Sequence, residues 1–153
     1  MQLDFVRDQL NRKNLNNLKK LIILVKFWFK TEVQSRYNRV RFPSYLLELL
    51  CIHVFESSLR ETKYDILKWF FQVIQVIERK DSLVCVWEEK YERGDIPWEV
   101  LEQRPLIVDP ANPFNNVAGG VAQWPEVSAC AKAFRRMLEG KYGGESLIEL
   151  SFS

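Results

Sequence analysis

Along residues 18–29 the apolar positions Leu18, Leu21, Ile22, Val25, Trp28 and Phe29 recur at helical spacing. The pattern predicts a helix with Asn16 as its cap. Ile23, Leu24 and Phe27 widen the apolar stripe until most of the helix is hydrophobic, which predicts a central position. What remains polar is a narrow line of Lys19, Lys26 and Lys30, with Ile23 standing in it. Lys26 falls inside the run LIILVKFWFK. An unpaired buried ammonium costs several kcal/mol, so Lys26 must reach water, pair with a carboxylate or face a ligand. Because it shares its face with other lysines, an edge or ligand-facing position is expected over burial against a carboxylate.

The rest of the chain continues in helical periods. A short amphipathic helix is predicted over 3–13. Another begins at Pro43 and turns Leu46, Leu47, Leu50 and Val54 to one side. In a third, Thr62 and Asp65 resemble a capping box, and Ile66, Trp69, Phe70, Val73 and Ile77 form a broad apolar face. SLVCVW (82–87) and PLIVDP (105–110) are rich in β-branched residues and predict two short strands. Between them, Asp95 and Pro97 open a brief helix. DPANPFNNVAGG (109–120) reads as a loop dense in Pro, Asn and Gly. A last helix is expected from Trp124 to Glu139, stopped by Gly140. These elements predict a mainly α fold of four to six helices with a small two-stranded β element. It forms one helical domain over 3–140, followed by a tail at 141–153.

Composition supports a single domain with a real core: 153 residues, 47% hydrophobic and 13% aromatic. The longest apolar run is five residues, far short of the roughly 20 that span a bilayer, so no membrane partner is expected. The first residues carry acids and no apolar h-region, so no signal peptide is read there. Cys51, Cys85 and Cys130 are isolated and odd in number, which argues against a disulfide framework or zinc site and for a reduced, intracellular protein. The only histidine, His53, lies in an apolar helical pattern and is expected to be packed, not catalytic.

Charge changes the picture more. Residues 1–41 hold ten Lys/Arg against three Asp/Glu, a balance of +7, whereas 42–153 hold twelve against seventeen, a balance of −5. A basic end of this kind attracts polyanions, and the acidic remainder opposes general stickiness. The competing reading is a merely solvated basic helix face.

Catalytic chemistry is sparse. There is no P-loop, no G-x-G-x-x-G, no G-x-S-x-G and no D-x-D pair for two magnesium ions. Glu88, Glu89 and Glu92 cluster on a polar segment where solvation suffices as the reason. Asp109 is either a ligand or, the preferred reading, a turn-starting Asp that binds nearby backbone N–H groups. No catalytic residue and no metal ligand is assigned.

Three stretches carry a resemblance: LKKLIILVKFWF (18–29), FPSYLLELL (42–50) and RPLIVDPANPFNNV (104–117). In order and spacing they resemble the C-terminal helical half of the 2′-5′-oligoadenylate synthases, and a helix with Trp124 follows. The resemblance covers roughly residues 3–140, and RPLIVDPANPFNNV is its most specific part. It implies a nucleotidyltransferase relative from a double-stranded-RNA-activated, cytoplasmic antiviral pathway of innate immunity that joins ATP into oligoadenylate with release of pyrophosphate. In a complete enzyme it implies Mg2+ and ATP, with three metal-binding aspartates supplied by an N-terminal nucleotidyltransferase domain. That domain is missing from this sequence, so it enters as an implied partner. The chain alone is expected to be non-catalytic and to bind neither cofactor by itself.

Carried over residue by residue, the resemblance implies donor-ATP contacts at Lys26, Ser44 and Tyr45. Ser44 stands where the family has Gln, and Ile23 where it has Arg, which removes a charge and up to five donors. Double-stranded RNA contacts are implied at Arg12 and Asn16, with a third at Arg7 if one residue is gapped and otherwise on Asp8. Such contacts read backbone and shape, as A-form grooves require. An alternative is a catalytically inactive relative acting as an RNA- or protein-binding module, and a bland one is a structural helical module. Without its partner domain the chain is expected to expose an apolar interface and to aggregate or need a partner.

Overall fold

The computed structural model describes residues 12–57 and 65–142. Five helices and a small mixed sheet form the architecture: α1 (Arg12–Trp28), α2 (Ser44–Ser57), α3 (Ile66–Glu78), β1 (Val84–Cys85), α4 (Trp98–Leu101), β2 (Leu106–Asp109), β3 (Asn112–Asn116) and α5 (Trp124–Tyr142). The fold is mainly helical, as the periodicity predicts. The helix expected over 3–13 lies outside the described residues except at its end, where Arg12 already begins α1. Asn16 is therefore an interior residue of α1 and not its cap. Past Trp28 the chain continues as a π-helical turn, Phe29–Gln34, where Thr31 Oγ1 donates back to the Phe27 carbonyl at 3.0 Å.

The central helix is α2 rather than α1. Leu46, Leu47, Leu49, Leu50, Cys51, Ile52, Val54 and Phe55 are all buried, so α2 is covered on nearly every side. By contrast, α1 buries Leu18, Leu21, Val25 and Trp28 but leaves Ile23 68% and Phe27 62% exposed. Packing α1 on α2 and α3 uses one face only. Pro43 stands one residue before α2 and accepts the amides of Leu46 and Leu47 through its carbonyl, at 3.0 and 3.4 Å. Asp65 is itself the cap of α3, accepting from the amides of Leu67 and Lys68. Thr62, its expected capping partner, lies outside the described residues.

α3 makes its most extensive contact with α5. Arg135 on α5 clamps Glu78 on α3 with two parallel bonds, Nε to Oε2 at 2.6 Å and NH2 to Oε1 at 2.9 Å. Edge-on aromatic pairs join the same layers: Phe55 with Trp69, Phe70 with Phe134, and Trp28 with Phe134. Gly140 does not stop α5, which runs on to Tyr142.

The sheet has three strands in the order β1-β2-β3. The β1–β2 pair is parallel, with Val84 opposite Leu106 and Cys85 opposite Ile107. The intervening segment with α4 provides the long crossover that a parallel pair requires. The third strand lies in the stretch expected to be a loop. β3 runs antiparallel to β2, pairing Val108 with Asn116 and Asp109 with Asn112 around an irregularity. Four of the five residues in NPFNN, all but Phe114, are types that strands avoid, and Pro113 confines the segment to an edge.

Asn116 holds this edge in place. Its buried side chain accepts from the amides of Ile107 and Ala118 and donates to Gln103 Oε1 and the Pro105 carbonyl. All four hydrogen-bonding positions that it uses are matched by protein groups, as burial demands. Trp87, at a positive φ of 55°, anchors the other side by donating Nε1–H to the Val108 carbonyl at 2.6 Å.

Candidate functional site

The face to inspect is where α1, the start of α2 and the end of β2 meet. Lys26 sits half-exposed at the edge of α1, and there it meets a carboxylate: Nζ lies 2.7 Å from Glu48 Oε1 on α2. The two side chains are 37% and 43% exposed, so neither is buried. The lysine line therefore did not exclude a carboxylate, because Glu48 comes from the neighbouring helix and not from α1. Sequence spacing within one helix carries no information about that encounter.

One turn before Glu48, Tyr45 reaches Asp109 at the end of β2, with its hydroxyl 3.4 Å from Oδ1. Burial first, and the Asp109 charge second, push the Tyr45 phenol up to about 12, so it remains a donor at neutral pH. Asp109 also accepts the Ala111 amide at 2.9 Å and the Asn115 side chain at 3.4 Å. That is the turn-starting role its sequence context favours. Tyr91 donates its hydroxyl to the Asp109 backbone carbonyl at 2.7 Å. The first turns of α2 thus carry a polar face on which Glu48 meets Lys26 and Tyr45 meets Asp109. Ser44, the first residue of α2, is exposed beside it. Lys26, Ser44 and Tyr45 are accordingly brought to one region. Glu48, Asp109 and Tyr91 stand apart from them in sequence: Glu48 lies on α2's next turn, Asp109 ends β2, and Tyr91 follows the turn after β1.

On α1 the exposed residues Asn16, Lys20, Ile23 and Phe27 form a continuous stripe, with Lys19 beside it and Lys30 following in the π-helical turn. The stripe mixes cations with two large apolar side chains. Arg36, Arg39 and Arg41 follow in an exposed connector that Gln123 ties down, donating Nε2–H to the Arg39 carbonyl and accepting the Arg41 amide. Arg7 lies outside the described residues, and Arg12 is placed only by its backbone at the start of α1.

The other candidate groups behave as packing. His53 is half-buried, and burial alone pushes its imidazole below its ordinary value, keeping it neutral. All three cysteines are buried, and burial raises each thiol. Glu88, Glu89 and Glu92 are exposed. Among the described residues no group of three His, Cys, Asp or Glu side chains is placed to hold a metal ion. No described helix is long and apolar enough to cross a membrane.

Comparison with known proteins places this geometry in a family. Residues 2–148 match the family described as 2'-5'-oligoadenylate synthetase 1, domain 2, C-terminus. The chain is 30% identical over 129 residues to 2'-5'-oligoadenylate synthase 2 of Bos taurus, covering 80% of this chain and 18% of that protein. It is 34% identical over 123 residues to 2'-5'-oligoadenylate synthase 3 of Rattus norvegicus, covering 72% of this chain and 11% of that one. It is also 32% identical over 132 residues to a rat protein named Inactive 2'-5'-oligoadenylate synthase 1B, with 82% of this chain and 35% of that one covered. The chain thus spans only a minor part of the length of each of these relatives. It belongs to the 2′-5′-oligoadenylate synthase family, in the C-terminal domain.

Proposed function

We propose that this chain acts as the helical half of a double-stranded-RNA-activated 2′-5′-oligoadenylate synthase in the cytoplasm. In this reading it holds a donor ATP and duplex RNA, while a nucleotidyltransferase domain supplies the magnesium-dependent chemistry. The observation that carries the reading is the exposed cationic face of α1, with Lys26 at its edge beside the start of α2.

Lys26 is suited to hold a triphosphate because its present partner is easily exchanged. A half-exposed lysine–carboxylate pair contributes roughly 0–1 kcal/mol. A triphosphate carries more charge than Glu48 and can draw Nζ away at little cost. Ser44 and Tyr45 lie in the first turn of the 14-residue α2, where backbone N–H groups point outward and favour anions. Their hydroxyls add donors. The described residues offer no cluster for Mg2+, so no metal-dependent step is assigned to them. On the RNA side, Asn16, Lys19 and Lys20 share the exposed surface of α1, and Arg12 opens the same helix.

A second reading is supported by Ile23. At 68% exposure it fills with an apolar side chain the place where the resemblance implies a cation, and Ser44 replaces an implied Gln. A module that binds RNA or protein without a working donor site fits those two departures.

The two readings separate in one set of titrations. Duplex RNA binding is expected to weaken with salt, and Lys19→Ala with Lys20→Ala is expected to lower the logarithmic salt slope by about two. With the chain joined to the nucleotidyltransferase domain of a relative, binding of a fluorescent ATP analogue is expected to fall severalfold in Lys26→Met. RNA binding with no nucleotide binding at all selects the second reading. Absence of both sinks the proposal.

A further inference from the structure

The acidic part of the chain builds a cavity that the nucleotide and RNA reading leaves unused. It measures about 560 Å³ and lies between the end of β1 and α4. Tyr91, Ile96, Trp98 and Leu101 form its apolar lining, and Glu88 and Glu92 contribute carboxylates. This volume is within the usual range for ligand pockets, which are apolar with a few placed polar groups. The Tyr91 hydroxyl is committed to the Asp109 carbonyl, so its ring is what it offers the cavity. Trp98 is 67% exposed, an unusual position for a large aromatic side chain. Phe114 on β3, the strand that α4 packs on, is likewise 70% exposed.

Charge selects the occupant. Residues 88–102 contain six acids, Glu88, Glu89, Glu92, Asp95, Glu99 and Glu102, against Lys90 and Arg93. Asp95 is partly engaged, since its carboxylate accepts the Glu92 amide at 2.9 Å in a reciprocal capping pair. Glu88 and Glu92 stand exposed at the cavity, and Glu99 on α4 and Glu102 just after it are exposed as well. Aromatic faces attract a cation, and nearby carboxylates strengthen that attraction. Anions, including the polyanions suited to α1, are repelled here.

We infer that this cavity receives a lysine or arginine side chain of a basic protein segment, with its aliphatic stem against Trp98 and its charge toward Glu88 and Glu92. A protein segment fits better than a small organic cation because Glu99 and Glu102 extend the acidic surface past the cavity. They would meet further basic residues of the same segment. Exposed Trp residues backed by a pocket are also the side chains that dominate protein interfaces.

The test uses fluorescein-labelled hexa-arginine as the probe and hexa-glutamine as the neutral control, read by anisotropy on the whole chain. Hexa-arginine is expected to bind and to weaken with added salt, and hexa-glutamine is not. Trp98→Ala is expected to weaken binding on the order of tenfold, with Trp98→Phe restoring most of it. Glu88→Gln, at an exposed position with little bearing on folding, is expected to weaken it severalfold. Equal binding by the two peptides would overturn the inference. So would unchanged binding in both Trp98→Ala and Glu88→Gln, since that pattern belongs to diffuse acidic attraction. Trp98-dependent self-association in sedimentation, without peptide binding, would assign the surface to a second copy of the chain instead.

Discussion

Two ion pairs of nearly equal length join helices in this protein, and they do opposite work. Arg135 on α5 grips Glu78 on α3 through two bonds at 2.6 and 2.9 Å, with side chains only 22% and 15% exposed. Lys26 on α1 meets Glu48 on α2 through one contact at 2.7 Å, with both partners about 40% exposed, at 37% and 43%. The guanidinium is planar and forked, so its geometry is fixed; it also reaches Glu139 at 2.8 Å, one turn along α5. The ammonium is a point charge on a flexible stem, held in high dielectric. Distance alone therefore says little about what a pair does. Solvent access and the number of bonds make one pair part of the framework and leave the other available to a ligand.

The sharpest way to break this contrast is Arg135→Ala. Glu78 would be left with its charge poorly hydrated, and a loss of about 2–3 kcal/mol is expected. Thermal melting should fall by roughly 5–10 °C for a chain of this size. The pair also gives a pH signature. The hydrogen bonds from Arg135, outweighing burial, hold the Glu78 carboxyl below its ordinary value of 4.5. A lowered carboxyl contributes stability above that value and loses it as pH falls through the folded pKa. Arg135→Ala should therefore flatten the acid limb of the stability curve. A variant as stable as the parent would remove Arg135 from the framework.

Glu56 sharpens the comparison as a carboxylate with neither kind of partner among the described residues. Its Oε1 is buried with no hydrogen bond, and burial, with a further contribution from Glu89, pushes the carboxyl up to about 7. Here the sign reverses. A raised carboxyl leaves stability intact below 4.5 and lowers it as pH rises through about 7. Denaturant midpoints should decline across that window, and Glu56→Gln should remove the decline. A slope that survives the substitution would point to another group.

The smallest effect belongs to Lys26. Lys26→Met is expected to change stability by less than about 1 kcal/mol, because the pair it removes is half-exposed. A large destabilisation in equilibrium unfolding would place Lys26 with Arg135 as framework and leave no room for a ligand role.

Much of this contrast was hidden from the sequence for a physical reason. The period of α1 marks Lys19, Lys26 and Lys30 as one line and sets Leu18, Leu21 and Val25 opposite. Leu18, Leu21 and Val25 are buried as that period requires, but Lys26 is half-exposed against Glu48 and Lys30 lies past Trp28 in the π-helical turn. The same period overstates burial, for Ile23 and Phe27 are as hydrophobic as their neighbours but face away from α2 and α3. Hydrophobicity says which residues can be buried; the number of neighbouring elements decides which are. The loop expected over 109–120 fails similarly. NPFNN becomes β3 because the Asn116 side chain fixes the chain beside β2, not because the segment prefers to be extended.

What the sequence determined by itself is local: the helical periods, the two β-branched strands, the division into a basic start and an acidic remainder, and motifs specific enough to mark the family. These depend on spacing of a few residues along the chain, which no tertiary contact can alter. The tertiary structure alone decided the partners. Glu48 for Lys26 is 22 residues away, Asp109 for Tyr45 is 64, and Glu78 for Arg135 is 57. Over such separations the pairing is set by how the helices and the sheet pack together, and that packing gives each charge its solvent exposure and its role.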